Sequence, residues 1–115
     1  MSQSPTLNLL VLRCRDMERT RTFYESLGLG FAAHRHGEGP VHYACESPGF
    51  VLELYPAPVD YVDRTALGFE IDELESLHER LASAKLQPGP IEQNPWGRTF
   101  VIRDPDGRRV EMKQR

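Results

Sequence analysis

Cysteine is scarce in this chain of 115 residues: only Cys14 and Cys45 occur, both inside apolar runs, so no disulfide framework is expected and buried, inert thiols are the better reading. Long hydrophobic runs are lacking too. The longest, around "LNLLVL", falls far short of the roughly 20 apolar residues that cross a bilayer. There is no excess of positive charge. A net charge of -3 and a pI near 5.8 remove the general attraction to nucleic acid or anionic membrane that basic surfaces carry. The N-terminal "MSQSPT" has neither the basic segment nor the apolar core of a signal peptide. P-loop, dinucleotide and serine-elbow motifs are also missing, because "GLGF" follows a helical pattern instead of opening one. What remains is one compact, reduced, cytoplasmic domain over residues 1–115, with small molecules or proteins as partners.

What the chain does have is a repeat. "TLNLLVLRCRDMERTRTFYESLGLGF" reads as a strand and then a helix: Asp16 is the N-cap, Met17, Thr20, Phe23, Tyr24 and Leu27 form the apolar stripe, and Gly28 is the terminator. "ALGFEIDELESLHERLASAKLQPG" repeats the pattern. Its strand is centred on Leu67 to Ile71, Asp72-x-x-Glu75 forms a capping box, and Leu74, Leu77, Leu81 and Ala84 make the stripe. Each helix is followed by strand-rich sequence closing on a similar phrase, "VLELYP" or "RVEMKQ", which puts Glu53 and Glu111 in equivalent places. Met17 superposes on Leu74 at an offset of 57 and Glu53 on Glu111 at 58. The α+β architecture expected is therefore two βαβββ modules, over about residues 5–56 and 64–115, joined by "PAPVDYVDRT".

Strand alternation divides each module into two faces. Leu10, Leu12 and Cys14, or Leu67, Phe69 and Ile71, are apolar enough to receive a helix. The opposite face then carries Leu9, Val11 and Arg13; Val51, Glu53 and Tyr55; Ala66, Gly68 and Glu70; and Arg109, Glu111 and Lys113. "VIRDPDGRRVEM" forms the closing hairpin, its Asp-Pro-Asp-Gly suited to a reversal.

The order of "LRCRDMERTRTFYESLGLGF", "FEIDELESLHERL" and "WGRTFVIRDPDGRRVEM" resembles the vicinal oxygen chelate superfamily of glyoxalases, bleomycin-resistance proteins and extradiol dioxygenases over nearly the whole chain. The resemblance implies that the two modules form a curved mixed sheet, a cup commonly completed by homodimerisation. In metal-dependent members the cup holds one ligand from the first and one from the last strand of each module. Glu53 and Glu111 match the carboxylates, whereas Leu9 and Ala66 stand at the first-strand positions and offer no lone pair. Transition metals favour imidazole or thiolate, so no metal and no cofactor are expected, with an atypical divalent ion as the alternative. Arg13 matches an arginine that binds the thiol cofactor's carboxylate in glutathione-dependent relatives; plain charge balance with Glu53 or Glu111 is the favoured explanation.

Among the remaining candidates, "HRHGEGPVHYACE" carries three histidines. His34 and His36 read as solvated surface groups. If Pro48-Gly49 forms a hairpin tip, Ala44 falls opposite Glu53 and His42 opposite Tyr55, on the cup face. His42 with Glu53 and Glu111 is then a candidate proton-transfer set, or a structural hydrogen bond. Trp96 belongs at the rim, for stacking on a ligand or for a dimer contact. Arg13, Tyr55, Trp96 and Arg109 are the candidate ligand contacts. The leading expectation is a metal-free homodimer enclosing a small organic molecule. The alternatives are a lyase or isomerase using the cup carboxylates and a dimerisation module whose cup is filled by side chains.

Overall fold

The computed structural model describes residues 4–115, so the first three residues of "MSQSPT" lie outside the described residues. Two compact units make up the chain, one running to Tyr61 and the other starting at Val62. The first contains β1 (Leu9–Cys14), α1 (Met17–Ser26), β2 (Ala32–His34), β3 (His42–Ser47) and β4 (Phe50–Pro56). The second repeats the order with β5 (Leu67–Ile71), α2 (Leu74–Ser83), β6 (Glu92–Asn94), β7 (Gly97–Arg103) and β8 (Arg109–Gln114). Each unit builds its own four-stranded sheet, in the orders β1-β4-β3-β2 and β5-β8-β7-β6. In each sheet the first strand runs parallel to the last and the other pairings are antiparallel. This is the α+β arrangement of two βαβββ modules that the repeat implies.

Burial follows the strand alternation. In the first unit Leu12, Cys14, Cys45, Leu52 and Leu54 are buried together with Thr20, Phe23 and Tyr24 of α1. In the second, Phe100, Ile102, Val110 and Met112 share the core with Leu74, Leu77 and Leu81 of α2. Each of these large apolar side chains contributes about 1.5–3 kcal/mol on leaving water. The cores thus hold one face of each sheet fixed and leave the other face to present side chains.

The two helices begin differently. At α1 the Asp16 carboxylate accepts from the Arg19 N–H at 3.1 Å, the N-cap bond expected from sequence. At α2 the capping box does not form. The helix starts at Leu74, which makes Glu73 the N-cap and leaves Asp72 one residue too early, and Glu73 makes no side-chain capping bond. The orphan Leu74 N–H donates instead to Oε1 of Gln114, on β8, at 3.2 Å. The Gln114 amide in turn donates to the Asp72 carbonyl, and the Asp72 carboxylate takes Arg115 at 3.1 Å. Ala84, expected on the buried stripe, is the exposed C-cap.

Both helices end in a left-handed residue. Gly28 has φ +110°, whereas its counterpart Lys85 has φ +62°, a conformation that disfavours a side chain. Gly28→Ala is therefore expected to cost about 1 kcal/mol or more and Lys85→Gly to stabilise, both read from denaturant unfolding midpoints.

The β7–β8 hairpin turns as expected, with Gly107 at φ +87° donating its N–H to the Asp104 carbonyl at 2.9 Å. What lies beneath it was not legible in the sequence. Arg108 is fully buried, its Nε on Asp63 at 2.7 Å and its Nη1 on Asp104 at 3.0 Å and Asp106 at 3.4 Å. The Asp104 carboxylate also accepts the backbone N–H groups of Asp106 and Arg108, each at 2.9 Å. A cation ringed by three carboxylates thus ties the segment before β5 to the hairpin that places β8. Burial works against ionisation at both ends of the 2.7 Å contact. Hydrogen bonds from Thr65 and Arg108, with the guanidinium charge, nevertheless hold Asp63 down at about 2. The same carboxylates raise Arg108 above its ordinary value against the opposing effect of burial.

Candidate functional site

The β3–β4 hairpin has the register expected from its Pro48-Gly49 tip: Ser47 pairs with Phe50 and Ala44 with Glu53. On the face turned away from α1, side chains therefore line up across the four strands in rows. One row is planar throughout. His34 pairs with His42 across β2 and β3, the His42 ring stacks on Tyr55 with centroids 4.3 Å apart and planes 8° from parallel, and the Arg13 guanidinium lies 5.0 Å over the Tyr55 ring. His34 and His36 stack on His42 at 5.9 Å and 5.1 Å. His34 and His36 are exposed, as expected, yet they are also members of this stack. Their spacing around "GEGP" was visible in the sequence, but the loop geometry that returns both rings to His42 was not.

The neighbouring row is small and then acidic: Ala32 pairs with Ala44, Ala44 with Glu53, and Glu53 with Val11. His42 is 1% exposed, and its Nε2 stands 3.4 Å from Oε2 of Glu53. Neither ring nitrogen of His42 has a hydrogen-bond partner. Leaving such a buried polar group unsatisfied costs about 1–3 kcal/mol, so the arrangement is held against its own local preference. An imidazole and a carboxylate in contact can relay a proton to or from a molecule seated beside the more exposed carboxylate.

Beside these rows lies an open cleft of about 500 Å³ in the first unit. It is lined by Glu25 of α1, Gly30 and Phe31 of the segment that follows, Ala32 and His34 of β2, and Ala44 and Glu46 of β3. Sequence reasoning missed Glu25, Phe31 and Glu46. Phe31 arrives from the irregular segment after α1, and periodicity assigns no direction to such a residue.

The second unit gathers its own set. Glu111, equivalent to Glu53, accepts a hydrogen bond from the Trp96 indole N–H at 3.3 Å and has Arg109 Nη2 at 3.7 Å. Trp96 is at the tip of the β6–β7 hairpin and 54% exposed. The next residue, Gly97, is at φ +132°, a backbone conformation that strains any side chain, so glycine suits the end of this tip. The sites singled out in sequence thus fall into two groups by unit: Arg13, His42, Glu53 and Tyr55 in one, Trp96, Arg109 and Glu111 in the other.

Metal chemistry has little to work with at the positions the repeat makes equivalent. Leu9, 46% exposed, and Ala66 carry only hydrocarbon. Among the described residues no three His, Cys, Asp or Glu side chains gather into a possible metal site. Nor is any helix among them long and apolar enough to cross a membrane.

Solved structures of the same fold include a bleomycin-binding protein in complex with bleomycin, with a TM-score of 0.70, 22% identity, and coverage of 97% of this chain and 99% of that one. An antibiotic-binding protein from Streptomyces sp. CB03234 matches with a TM-score of 0.75 and 21% identity over 99% and 98% of the two chains. A lactoylglutathione lyase from Agrobacterium tumefaciens matches with 0.75 and 18% over 98% and 96%. At these identities the likeness is one of fold. No curated protein is similar enough in sequence to count as a match. The family model does match, over residues 6–112, nearly every element from β1 to β8. The chain therefore belongs to the glyoxalase/bleomycin resistance protein/dioxygenase superfamily.

Proposed function

We propose that this protein binds a small organic molecule on the sheet face turned away from its helices, as a homodimer and without a resident transition metal. The observation that carries the reading is the row of stacked rings beside a row of methyl groups, with an open cleft of about 500 Å³ next to them. Flat apolar floors with a few convergent polar groups are the usual composition of small-molecule sites. The bleomycin-binding and antibiotic-binding structures of the same fold support this reading. Ala44→Leu tests it. The larger side chain fills the floor of the cleft, so fragment binding followed by heteronuclear NMR is expected to be lost from a chain that still folds, at a stability cost of about 1–3 kcal/mol because Ala44 is buried. Undiminished binding would count against the site.

The metal-free reading is supported by hydrocarbon at Leu9 and Ala66, which offer no lone pair to a transition metal. Protein purified without chelator is expected to carry less than stoichiometric zinc or nickel by elemental analysis. One equivalent of either, lost on Glu53→Gln, would overturn this. Homodimerisation rests on the half-exposed face that each short module leaves uncovered. Sedimentation at micromolar concentration is expected to give a dimer. The thiols of Cys14 and Cys45, both buried and in no disulfide, suit a reducing cytoplasm.

A second reading, a lyase or isomerase, is favoured by the buried His42 ring, whose Nε2 stands 3.4 Å from the Glu53 carboxylate. In it His42 moves a proton to or from the bound molecule and Glu53 orients the ring. His42→Gln would then lower kcat while leaving ligand affinity within a few fold. A pure binding protein would show no turnover to lose.

A further inference from the structure

We propose that the cleft in the first unit selects flat nitrogen bases, amidines or protonated amino-heterocycles, over acids of the same shape. The inference rests on the binding reading above and adds the class of ligand. Its two charged groups are both carboxylates, Glu25 and Glu46, and no lysine or arginine lines the space. Both side chains are exposed, and among the described residues neither forms an ion pair with a basic side chain, so their four oxygens are available as acceptors. A ligand that fits must bring the donors. An anion of equal size would meet two like charges and find only His34 to offset them.

Shape gives the second half of the inference. Ala32 and Ala44 pair directly across β2 and β3, which sets two methyl groups side by side as a flat floor. His34 bounds the floor with a ring already stacked, within 24° of parallel, on the buried His42 ring, whose own nitrogens lack hydrogen-bond partners. Phe31 bounds it elsewhere. A planar ring lying on the methyls can continue the stack at His34 while its N–H groups reach toward Glu46 and Glu25, which are charge-assisted bonds. Arg13 lies at the far end of the ring row, over Tyr55, and does not line the cleft. An acid that needs a guanidinium therefore has no cation to meet in this cleft.

Benzamidine and benzoate are a matched pair of flat probes with opposite charge. Titrated into the full chain and followed by amide NMR, benzamidine is expected to shift Ala32, His34, Ala44 and Glu46 at concentrations at least about tenfold below those at which benzoate does. The double variant Glu25→Gln, Glu46→Gln is expected to remove that preference, and Ala44→Leu to abolish both responses. Benzoate binding as well as benzamidine in this cleft would overturn the charge selection and leave small-molecule binding standing. Benzamidine binding unaffected by the double variant would overturn it in the same way. No response of the cleft to either probe or to a neutral fragment library would remove both the selection and the binding reading beneath it.

Discussion

Replacing Arg108 by methionine is expected to cost about 3–5 kcal/mol of folding stability, the largest effect of any single change in this chain. Methionine fills a similar volume, so the loss is electrostatic. Arg108 is 0% exposed, and its removal strands the side chains of Asp63, Asp104 and Asp106, which are 11%, 0% and 3% exposed. The pH dependence carries an independent signature. Asp63 has a folded-state value lowered from 3.8 to about 2, so its contribution is fully present above pH 4 and lost as the pH falls toward 2. That shift corresponds to roughly 2 kcal/mol. Unfolding free energies measured by denaturant from pH 6 down to 2 should therefore decline for the natural chain. Asp63→Asn should be less stable near neutral pH and decline less steeply through the same window. Identical slopes for the two proteins would show that Asp63 is ionised no more readily in the fold than out of it.

The second large effect has the opposite sign. His42→Phe is expected to stabilise the ligand-free protein by about 1–2 kcal/mol, because a phenyl ring keeps the stack with Tyr55 and removes two buried nitrogens that have no hydrogen-bond partner. The same change should abolish whatever response to ligand or substrate passes through the imidazole. Thermal melts of His42→Phe and Tyr55→Leu separate the contributions. The first should melt higher, and the second, which breaks the stack and leaves the nitrogens in place, should melt lower. Destabilisation by His42→Phe would mean that the imidazole is satisfied within the fold, and the case for it as a functional group would fall.

The duplicated architecture was legible in the sequence because the offset linking Met17 to Leu74 and Glu53 to Glu111 survives in helix stripe and strand alternation alike, and period alone sets faces. The register of the β3–β4 hairpin was legible for a similar reason, since Pro48-Gly49 permits a two-residue tip and fixes Ala44 against Glu53. The cluster around Arg108 was not. A charged residue in a charged hairpin reads as solvated until a carboxylate 45 positions away, Asp63, is brought to it. The cleft was illegible for the same cause: Glu25, Phe31 and Glu46 are separated by irregular chain, and nothing local says that they face one space. The His34 and His36 rings lay between these cases, noticed as a pattern but not placed.

The two helix caps assign different histories to the two modules. At α1 the capping carboxylate is three residues from the amide it serves, so that helix can nucleate from its own sequence before any sheet exists. At α2 the cap arrives from 40 residues downstream, once β8 has found its place beside β5. The first module can thus start from a local seed, while the second must close a long loop before its helix is secured, and chains with more such closures fold more slowly. Gln114→Ala should accordingly slow refolding of the second module in pulse-labelled hydrogen exchange and leave the protection of α1 unchanged. Two near-copies of one structural idea would then be distinguishable by time, the one dimension that their shared topology conceals.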